Sequence, residues 1–232
     1  MLDKLKKQVY LANMELVKKK LIIETFGNVS GIDREKQIVA IKPSGVDYDT
    51  LRPDDVVLVD LNSGEVIEGD MRPSSDTKTH LVLYKSFSEI QGVVHTHSAY
   101  ATSWAQAQRP IPCLGTTHAD YSPAEIPCTG VMEDDAIEGD YEKETGYQII
   151  STFRQKKYDY QYTPMVLVAS HGPFTWGESP AKAVYHSNVL EYLAKMAYRT
   201  LRINNNVGSL KKNLIDKHFY RKHGENAYYG QE

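Results

Sequence analysis

A chain of 232 residues, 41% hydrophobic and 25% charged, has ample length for a core as one large domain or two small ones. Its net charge of −3 argues against general binding to nucleic acids or membrane surfaces. The sequence shows neither a signal-peptide segment nor an apolar run that could span a membrane, and it has two cysteines, Cys113 and Cys128. These features predict a cytoplasmic location.

Hydrophobic spacing predicts a series of short elements. In chain order they are an amphipathic helix over 3–20, a loop at 27–31, strands at 37–41 and 56–61, a hairpin turn at 62–64 leading to a strand at 65–67, and helices over 77–87, 98–107, 141–156 and 180–202. Helices and strands alternate, but hairpins occur among the strands. We therefore predict a single α/β domain with a central mixed, largely antiparallel sheet flanked by helices, rather than a doubly wound nucleotide-binding fold.

A His-x-His pair, His95 and His97, lies in the apolar run 91–98. Residues i and i+2 lie on the same face of a strand, so both imidazoles can reach one metal ion. A second apolar run, 165–170, leads to His171 and a Gly-Pro pair. A lone buried histidine is most often a core residue, but three histidines at strand ends, with acidic residues available, favour a zinc site with room for substrate.

The fourth ligand is not adjacent to the histidine pair. A cupin requires a Glu a few residues later and a metallo-β-lactamase requires Asp-His, whereas the segment 98–103 has neither. The best candidate is Asp76, which follows Ser74 and Ser75 before a predicted helix. Such residues are usually only an N-cap, but neither serine has Glu or Gln three residues later, so the capping box is absent.

The start of that helix also suits an anion. Its free N–H groups and positive dipole end lie beside the hydroxyls of Ser74 and Ser75. The turn at 41–45, with sequence IKPSG, adds a lysine, a hydroxyl and exposed amides. Either element alone is weak evidence, but together with the Gly-Asn pair at 27–28 they indicate a phosphate site.

These motifs, in this order, resemble the class II sugar-phosphate aldolase/epimerase family over essentially the whole chain. The segments that carry the resemblance are 27–30 (GNVS), 42–45 (KPSG), 72–76 (RPSSD), 95–97 (HTH), 169–173 (ASHGP) and 228–230 (YYG). The family's fuculose and rhamnulose phosphate aldolases typically have Glu after the Ser-Ser pair, whereas this chain has Asp76, as the epimerases do. The resemblance implies a class II aldolase-like fold and epimerisation at C4 of L-ribulose 5-phosphate to D-xylulose 5-phosphate, in arabinose or ascorbate catabolism.

The resemblance also implies residue roles. Zinc, one ion per subunit, with Mn²⁺ or Co²⁺ as substitutes, would be held by Asp76, His95, His97 and His171. Substrate phosphate would lie near Gly27, Asn28, Lys42, Ser44, Gly45, Ser74 and Ser75. The acid/base pair would be Asp120 and Tyr229, with Tyr229 supplied by the neighbouring subunit of a ring-shaped homotetramer.

Residues 209–232 differ in kind from the rest of the chain, because they mix aromatics, histidines and charge without a sustained apolar stripe. Residues 1–208 would form the catalytic domain, and the tail 209–232 would dock at a subunit interface and complete the active site. A frayed terminus is the plainer interpretation of the tail. Its four aromatic residues, however, would be costly to leave in water, which favours docking on this subunit or a neighbour.

C4 epimerisation requires cleavage of a carbon–carbon bond. The hydrogen on C4 is β to the ketone, so its removal gives no stabilised anion, whereas breaking C3–C4 leaves charge that delocalises into the C2 carbonyl, with a divalent ion as electron sink. Rotation of the glycolaldehyde phosphate before recondensation then inverts C4. Two alternatives remain open: an aldolase acting on a related sugar phosphate such as L-fuculose or L-rhamnulose 1-phosphate, and a non-catalytic module that binds metal or sugar phosphate.

Overall fold

A seven-stranded sheet forms the centre of the fold in the computed structural model, which describes residues 2–223 and 227–229. Its strands are β1 (Asn28–Asp33), β2 (Ile38–Ile41), β3 (Val57–Asp60), β4 (Val66–Glu68), β5 (Gly92–His95), β6 (Met165–Val168) and β7 (Gly172–Gly177). They lie in the order β4-β3-β2-β1-β5-β7-β6, and each neighbouring pair is antiparallel. The predicted α/β class with a largely antiparallel sheet is confirmed.

Helices cover both faces of this sheet. They are α1 (Leu2–Lys18), α2 (Thr77–Ser86), α3 (Ala99–Gln106), α4 (Thr116–Ala119), α5 (Asp134–Glu138), α6 (Tyr141–Lys156), α7 (Pro180–Ile203) and α8 (Lys212–Tyr220). The helices predicted from hydrophobic spacing correspond to α1, α2, α3, α6 and α7. Within the described residues, no helix is long and apolar enough to cross a membrane.

Alternation of side chains along the strands creates two cores. On β5, Val93 packs with α2 and α6 in one core, whereas its neighbour Val94 packs with α1 and α7 on the opposite face. On β6, Val166 belongs to the α2 and α6 side, and Leu167 to a cluster with α3 and α7. Each fully buried aliphatic side chain contributes about 1.5–3 kcal/mol, so the sheet is stabilised from both faces.

Two predicted segments were wrong. Residues 28–31 were expected to form a loop, but they belong to β1, in which Asn28 is opposite His95 and Val29 is opposite Val94. The run before His171 was expected to be one strand reaching the histidine. Instead β6 ends at Val168, and a turn through Ser170, with φ of 62°, leads into β7.

Three glycines lie side by side across the centre of the sheet, where α7 begins. Gly92 of β5 pairs with Gly31 of β1 and with Gly177 of β7. A Cβ at Gly92 would lie 2.5 Å from the backbone nitrogen of Pro180, and one at Gly31 would lie 2.8 Å from the Pro180 ring. The glycine row therefore lets the start of α7 approach the sheet backbone directly.

Replacing Gly92 with alanine tests this close approach. The contacted atoms are backbone and cannot rotate away, so Gly92→Ala should lower the free energy of unfolding by about 1–3 kcal/mol. The matched control is Gly130→Ala, because a Cβ there meets no atom within 4 Å. Urea unfolding of both variants gives the comparison, and equal stabilities would contradict the packing argument.

Candidate functional site

Three histidines converge at one end of the central strands. His95 ends β5, His97 lies two residues beyond it, and His171 lies in the turn between β6 and β7. One ring nitrogen of each lies within 4.8 Å of the others, and the Nε2 atoms of His95 and His97 are 3.0 Å apart. Two nitrogen ligands of a tetrahedral zinc ion at 2.0–2.1 Å are roughly 3.3 Å apart, so the histidines fit such an ion.

The surroundings of His95 determine which of its ring nitrogens faces the other two histidines. Its Nδ1 lies 3.0 Å from the carbonyl oxygen of Pro173, and its ring stacks on Phe174 with centroids 4.3 Å apart. When Nδ1–H donates to that carbonyl, Nε2 keeps its lone pair for an ion. The backbone of β7 thus orients the His95 ring.

Burial keeps the histidines neutral. It lowers the pKa of His95 and His97, and together with repulsion from His95 it lowers the pKa of His171 to about 4, although Asp76 opposes the shift. Metal ions bind the neutral imidazole, so the three rings are in the binding form at neutral pH.

Asp76 lies at the start of α2, in the N-cap position, but its side chain makes no capping hydrogen bond. Instead, its Oδ2 accepts a hydrogen bond of 2.6 Å from Nδ2 of Asn28. Burial acts to raise the pKa of Asp76, but the neighbouring His95 and His80 and the Asn28 amide outweigh it, so the pKa lies below its ordinary value. Among the described residues, the possible ligand atoms that lie within 4.8 Å of one another belong to His95, His97 and His171, and this group does not include Asp76. The role of Asp76 as a fourth ligand therefore stays a prediction.

One cavity of about 350 Å³ contains both the histidines and the predicted phosphate residues. Its lining comprises Thr25, Phe26, Gly27, Asn28, Lys42, Pro43, Ser44, Gly45, Ser74, Ser75, Asp76, His95, His97 and His171. All residues predicted to bind metal or phosphate are therefore in one place, although they come from separate segments of the chain.

Backbone pairing joins the two predicted phosphate segments. The Ser44 N–H donates to the Arg72 carbonyl at 2.9 Å, and the Ser74 N–H donates to the Lys42 carbonyl at 3.0 Å. The Ser74 hydroxyl also accepts from Nδ2 of Asn28 at 3.0 Å. The serines and the Asn28 amide are consequently held against one another in the cavity that also contains the three histidines.

Gly27 and Asn28 are fitted closely to this wall of the cavity. Gly27 has φ of +100°, and a Cβ there would lie 3.1 Å from the carbonyl oxygen of His95, so both the backbone conformation and the space favour glycine. Oδ1 of Asn28 is buried and has no hydrogen-bond partner within the described residues. An unsatisfied buried acceptor is unfavourable unless a ligand or water completes it, which fits a residue of a binding site.

Lys42 brings positive charge to the same cavity. The side chain is buried, and its Nζ donates to the Val46 carbonyl at 2.7 Å and lies 4.7 Å from the centre of the Tyr48 ring. Burial lowers the pKa of Lys42 to about 8, and nearby Asp47 opposes that shift. The ammonium is therefore mostly charged at neutral pH and can attract an anion.

Asp120 and Tyr229 do not line this cavity. They line a second cavity of about 610 Å³, together with Tyr121, Tyr185, Lys222 and His223 among others. The guanidinium of Arg221 lies 4.7 Å, and Nζ of Lys222 4.5 Å, from the centre of the Tyr229 ring. The two predicted acid/base residues thus lie in one cavity, apart from the cavity that contains the histidines of their own chain.

Three basic side chains surround the Asp120 carboxylate. His218 Nδ1 lies 3.0 Å, Arg221 Nη2 2.9 Å and Lys222 Nζ 3.1 Å from its oxygens. Burial acts to raise the pKa of Asp120, but the hydrogen bonds from these side chains outweigh it and hold the pKa below its ordinary value. Asp120 is consequently a carboxylate at neutral pH.

Sequence reasoning missed the helix that supplies these basic groups. In α8, Ile215 and Phe219 are buried, while His218 and the residues that follow the helix contact Asp120 at the end of α4. Part of the tail therefore packs on its own chain, through Ile215, Phe219 and the contacts with Asp120. Residues 224–226 and 230–232 of that tail, including Gly230 of the predicted terminal motif, lie outside the described residues.

A second missed residue is Tyr141, the first residue of α6. Its hydroxyl oxygen lies 3.3 Å from Nδ1 of His171. Burial raises the pKa of Tyr141, and the charges of Asp76 and Glu142 act in the same direction, so the hydroxyl stays protonated. No local sequence pattern marks this tyrosine, because its contact depends on how α6 packs.

Comparison with known proteins agrees with the fold. The family model of the Class II Aldolase and Adducin N-terminal domain matches residues 7–198. A structure of L-fuculose 1-phosphate aldolase is 25% identical, with a TM-score of 0.78, and covers 94% of this chain and 95% of that chain.

Two further structures share the fold at lower identity. L-fuculose-1-phosphate aldolase from Thermus thermophilus is 21% identical, with a TM-score of 0.66, and covers 90% of this chain and 100% of that chain. YgbL from Klebsiella pneumoniae, described only as an aldolase, epimerase or decarboxylase, is 21% identical, with a TM-score of 0.68, and covers 92% of this chain and 97% of that chain.

The buried histidine beside Asp120 predicts a pH-dependent stability. Nε2 of His118 lies 2.9 Å from the Ala124 carbonyl, and burial lowers the pKa of His118 from 6.5 to about 4. The stability that neutral His118 contributes is therefore complete above pH 6.5 and is lost as the pH falls towards 4. Between about pH 7.5 and about pH 5, the free energy of unfolding should fall by about 2 kcal/mol less in the His118→Gln variant than in the unaltered protein.

Urea unfolding of the chelator-treated protein and the variant at both pH values measures this difference. The same change in unfolding free energy for both proteins would contradict the assignment.

Proposed function

The chain belongs to the Class II Aldolase and Adducin N-terminal domain family, and from this premise we propose that it catalyses metal-dependent epimerisation at C4 of L-ribulose 5-phosphate to D-xylulose 5-phosphate. One observation carries the proposal: three convergent histidines and a buried anion cradle share a cavity of about 350 Å³. We choose the epimerase within the family because this chain has Asp76 after the Ser-Ser pair, as the epimerases do, where the aldolases typically have Glu.

The cavity residues divide into two tasks. His95, His97 and His171, with Asp76 as the proposed fourth ligand, would hold a zinc ion. That ion, when bound, supplies the positive charge that stabilises the anion left on C3 when C3–C4 breaks. Mn²⁺ or Co²⁺ could serve in its place, because nitrogen and oxygen ligands accept each of these metals.

The second task is to hold the phosphorylated fragment. The Ser44 and Ser75 hydroxyls, the amides near Gly45 and the start of α2, and the Lys42 ammonium would bind the phosphate. Glycolaldehyde phosphate formed by the cleavage would then stay tethered at one end. Its aldehyde group can rotate and present the opposite face, and recondensation at that face inverts C4.

Proton transfer completes the reaction. One group must take the proton from the C4 hydroxyl during cleavage, and another must return a proton on the opposite face after rotation. We assign these tasks jointly to Asp120 and Tyr229. The carboxylate form of Asp120 can accept a proton, and the hydroxyl of Tyr229 can donate one.

This assignment requires a second copy of the chain. Asp120 and Tyr229 line a different cavity from the histidines of their own chain, so we propose that each pair serves the metal centre of a neighbouring subunit. A ring-shaped homotetramer with four such interfaces would satisfy the requirement. Members of the family bind sugar phosphates, and many are oligomers, which supports the arrangement.

An aldolase activity is the second candidate. It is favoured by the structure named L-fuculose 1-phosphate aldolase, which is 25% identical to this chain over 94% of its length. Both activities use the same carbon–carbon cleavage. They differ in whether the aldehyde fragment is retained and rotated or released.

Product analysis separates the two activities. We expect the metal-replete protein to convert L-ribulose 5-phosphate into D-xylulose 5-phosphate, followed by NMR, with a chelator abolishing the conversion. Accumulation of free glycolaldehyde phosphate and dihydroxyacetone would contradict the epimerase and favour the aldolase. No turnover of this substrate, with turnover of L-fuculose 1-phosphate or L-rhamnulose 1-phosphate, would also overturn the proposal.

A further inference from the structure

The three histidines of the metal site are not held equally. His95 is buried, and its Nδ1 faces a backbone carbonyl. His171 is only partly buried and lies in the turn after Ser170, a residue in the left-handed region. Among the described residues, the hydrogen-bond partner of the His171 ring is the Tyr141 hydroxyl, with Oη 3.3 Å from Nδ1.

We propose that Tyr141 is a positioning residue for the metal centre, whose hydroxyl orients the His171 ring and selects the tautomer that binds the ion. The proposal depends on the metal site described above, but not on which sugar phosphate the protein transforms. It concerns only the hydroxyl group, because the Tyr141 ring also packs near His171, with centroids 6.1 Å apart.

The positions of the two ring nitrogens of His171 determine which tautomer can bind an ion. With Nδ1 directed at Tyr141, Nε2 is the atom that can face the ion, and it must then carry a free lone pair. The proton therefore belongs on Nδ1, which donates to the Tyr141 oxygen. An ion held by Nε2 would make Nδ1–H a stronger donor, so this hydrogen bond would favour the bound state.

The position of Tyr141 is itself set by tight helix packing. Tyr141 begins α6, and α6 packs on α2, the helix that Asp76 precedes. Contact is so close that a Cβ at Gly146 would lie 2.7 Å from Val82. The hydroxyl that meets His171 is thus fixed relative to the start of α2, so the same pair of helices places both Tyr141 and Asp76 near His171.

Removing the hydroxyl tests the proposal. Tyr141→Phe should weaken Zn²⁺ binding by about 10–100-fold, the usual effect of losing a hydrogen bond to a ligating histidine, in a competition titration against a chromophoric chelator. The matched control is Tyr147→Phe, since Tyr147 lies on the same helix with 48% of its surface exposed. It should bind Zn²⁺ as the unaltered protein does.

Two further measurements exclude a general loss of structure. The metal-free Tyr141→Phe protein should have an unchanged free energy of urea unfolding, and its Co²⁺-loaded form should show an altered visible absorption spectrum. Zn²⁺ affinity unchanged within about twofold would overturn the proposal, because a positioning hydrogen bond is worth more than that. So would weaker binding accompanied by an equal loss of stability in the metal-free protein, because the hydroxyl would then be structural.

No substrate is present in these titrations, so their outcome is independent of the product assay. If Tyr141→Phe weakens Zn²⁺ binding as expected, but the unaltered protein does not epimerise L-ribulose 5-phosphate, the proposed function is refuted and the role of Tyr141 is not.

Discussion

The antiparallel pairing of β5 with β1 on one side and β7 on the other is the constraint on which the site depends. This register places Asn28 opposite His95, and His95 opposite Phe174. A shift by one residue would turn the His95 ring to the other face of the sheet and separate it from Asn28. Packing supports the register, because the glycine row beneath α7 fits only when Gly31, Gly92 and Gly177 are aligned.

The electrostatics of the site follow from that geometry. Burial keeps the three histidines neutral, while the hydrogen bond from Asn28 favours the ionised form of Asp76. The Asn28 amide contacts both Asp76 and Ser74, so one side chain joins a proposed metal ligand to a proposed phosphate-binding residue. Burying so many polar groups opposes folding, and the two apolar cores on either side of the sheet offset this.

Much of this organisation could be predicted from the sequence, because it depends on short-range patterns. Alternation along a strand is enough to place His95 and His97 on one side, and helical spacing located the long helices. Strand β1 was missed because its residues do not follow the hydrophobic alternation that predicts a strand. They are determined by tertiary contacts instead: the Ser30 hydroxyl contacts His80 and Tyr84, and Gly31 makes room for α7. The association of Asp120 with α8 joins residues about a hundred positions apart, and only tertiary packing determines it.

We propose a shared active site, in which one copy of the chain supplies the metal ligands and another copy supplies the acid/base pair. Its most direct test is co-expression of His97→Asn and Asp120→Asn chains with different affinity tags, followed by isolation of assemblies that contain both. Each variant alone should be inactive, whereas mixed rings should regain roughly a quarter of the wild-type activity, because random assembly leaves about one interface in four with both halves intact. Mixed assemblies as inactive as their parents would contradict the account, since they would place Asp120 at the metal centre of its own chain.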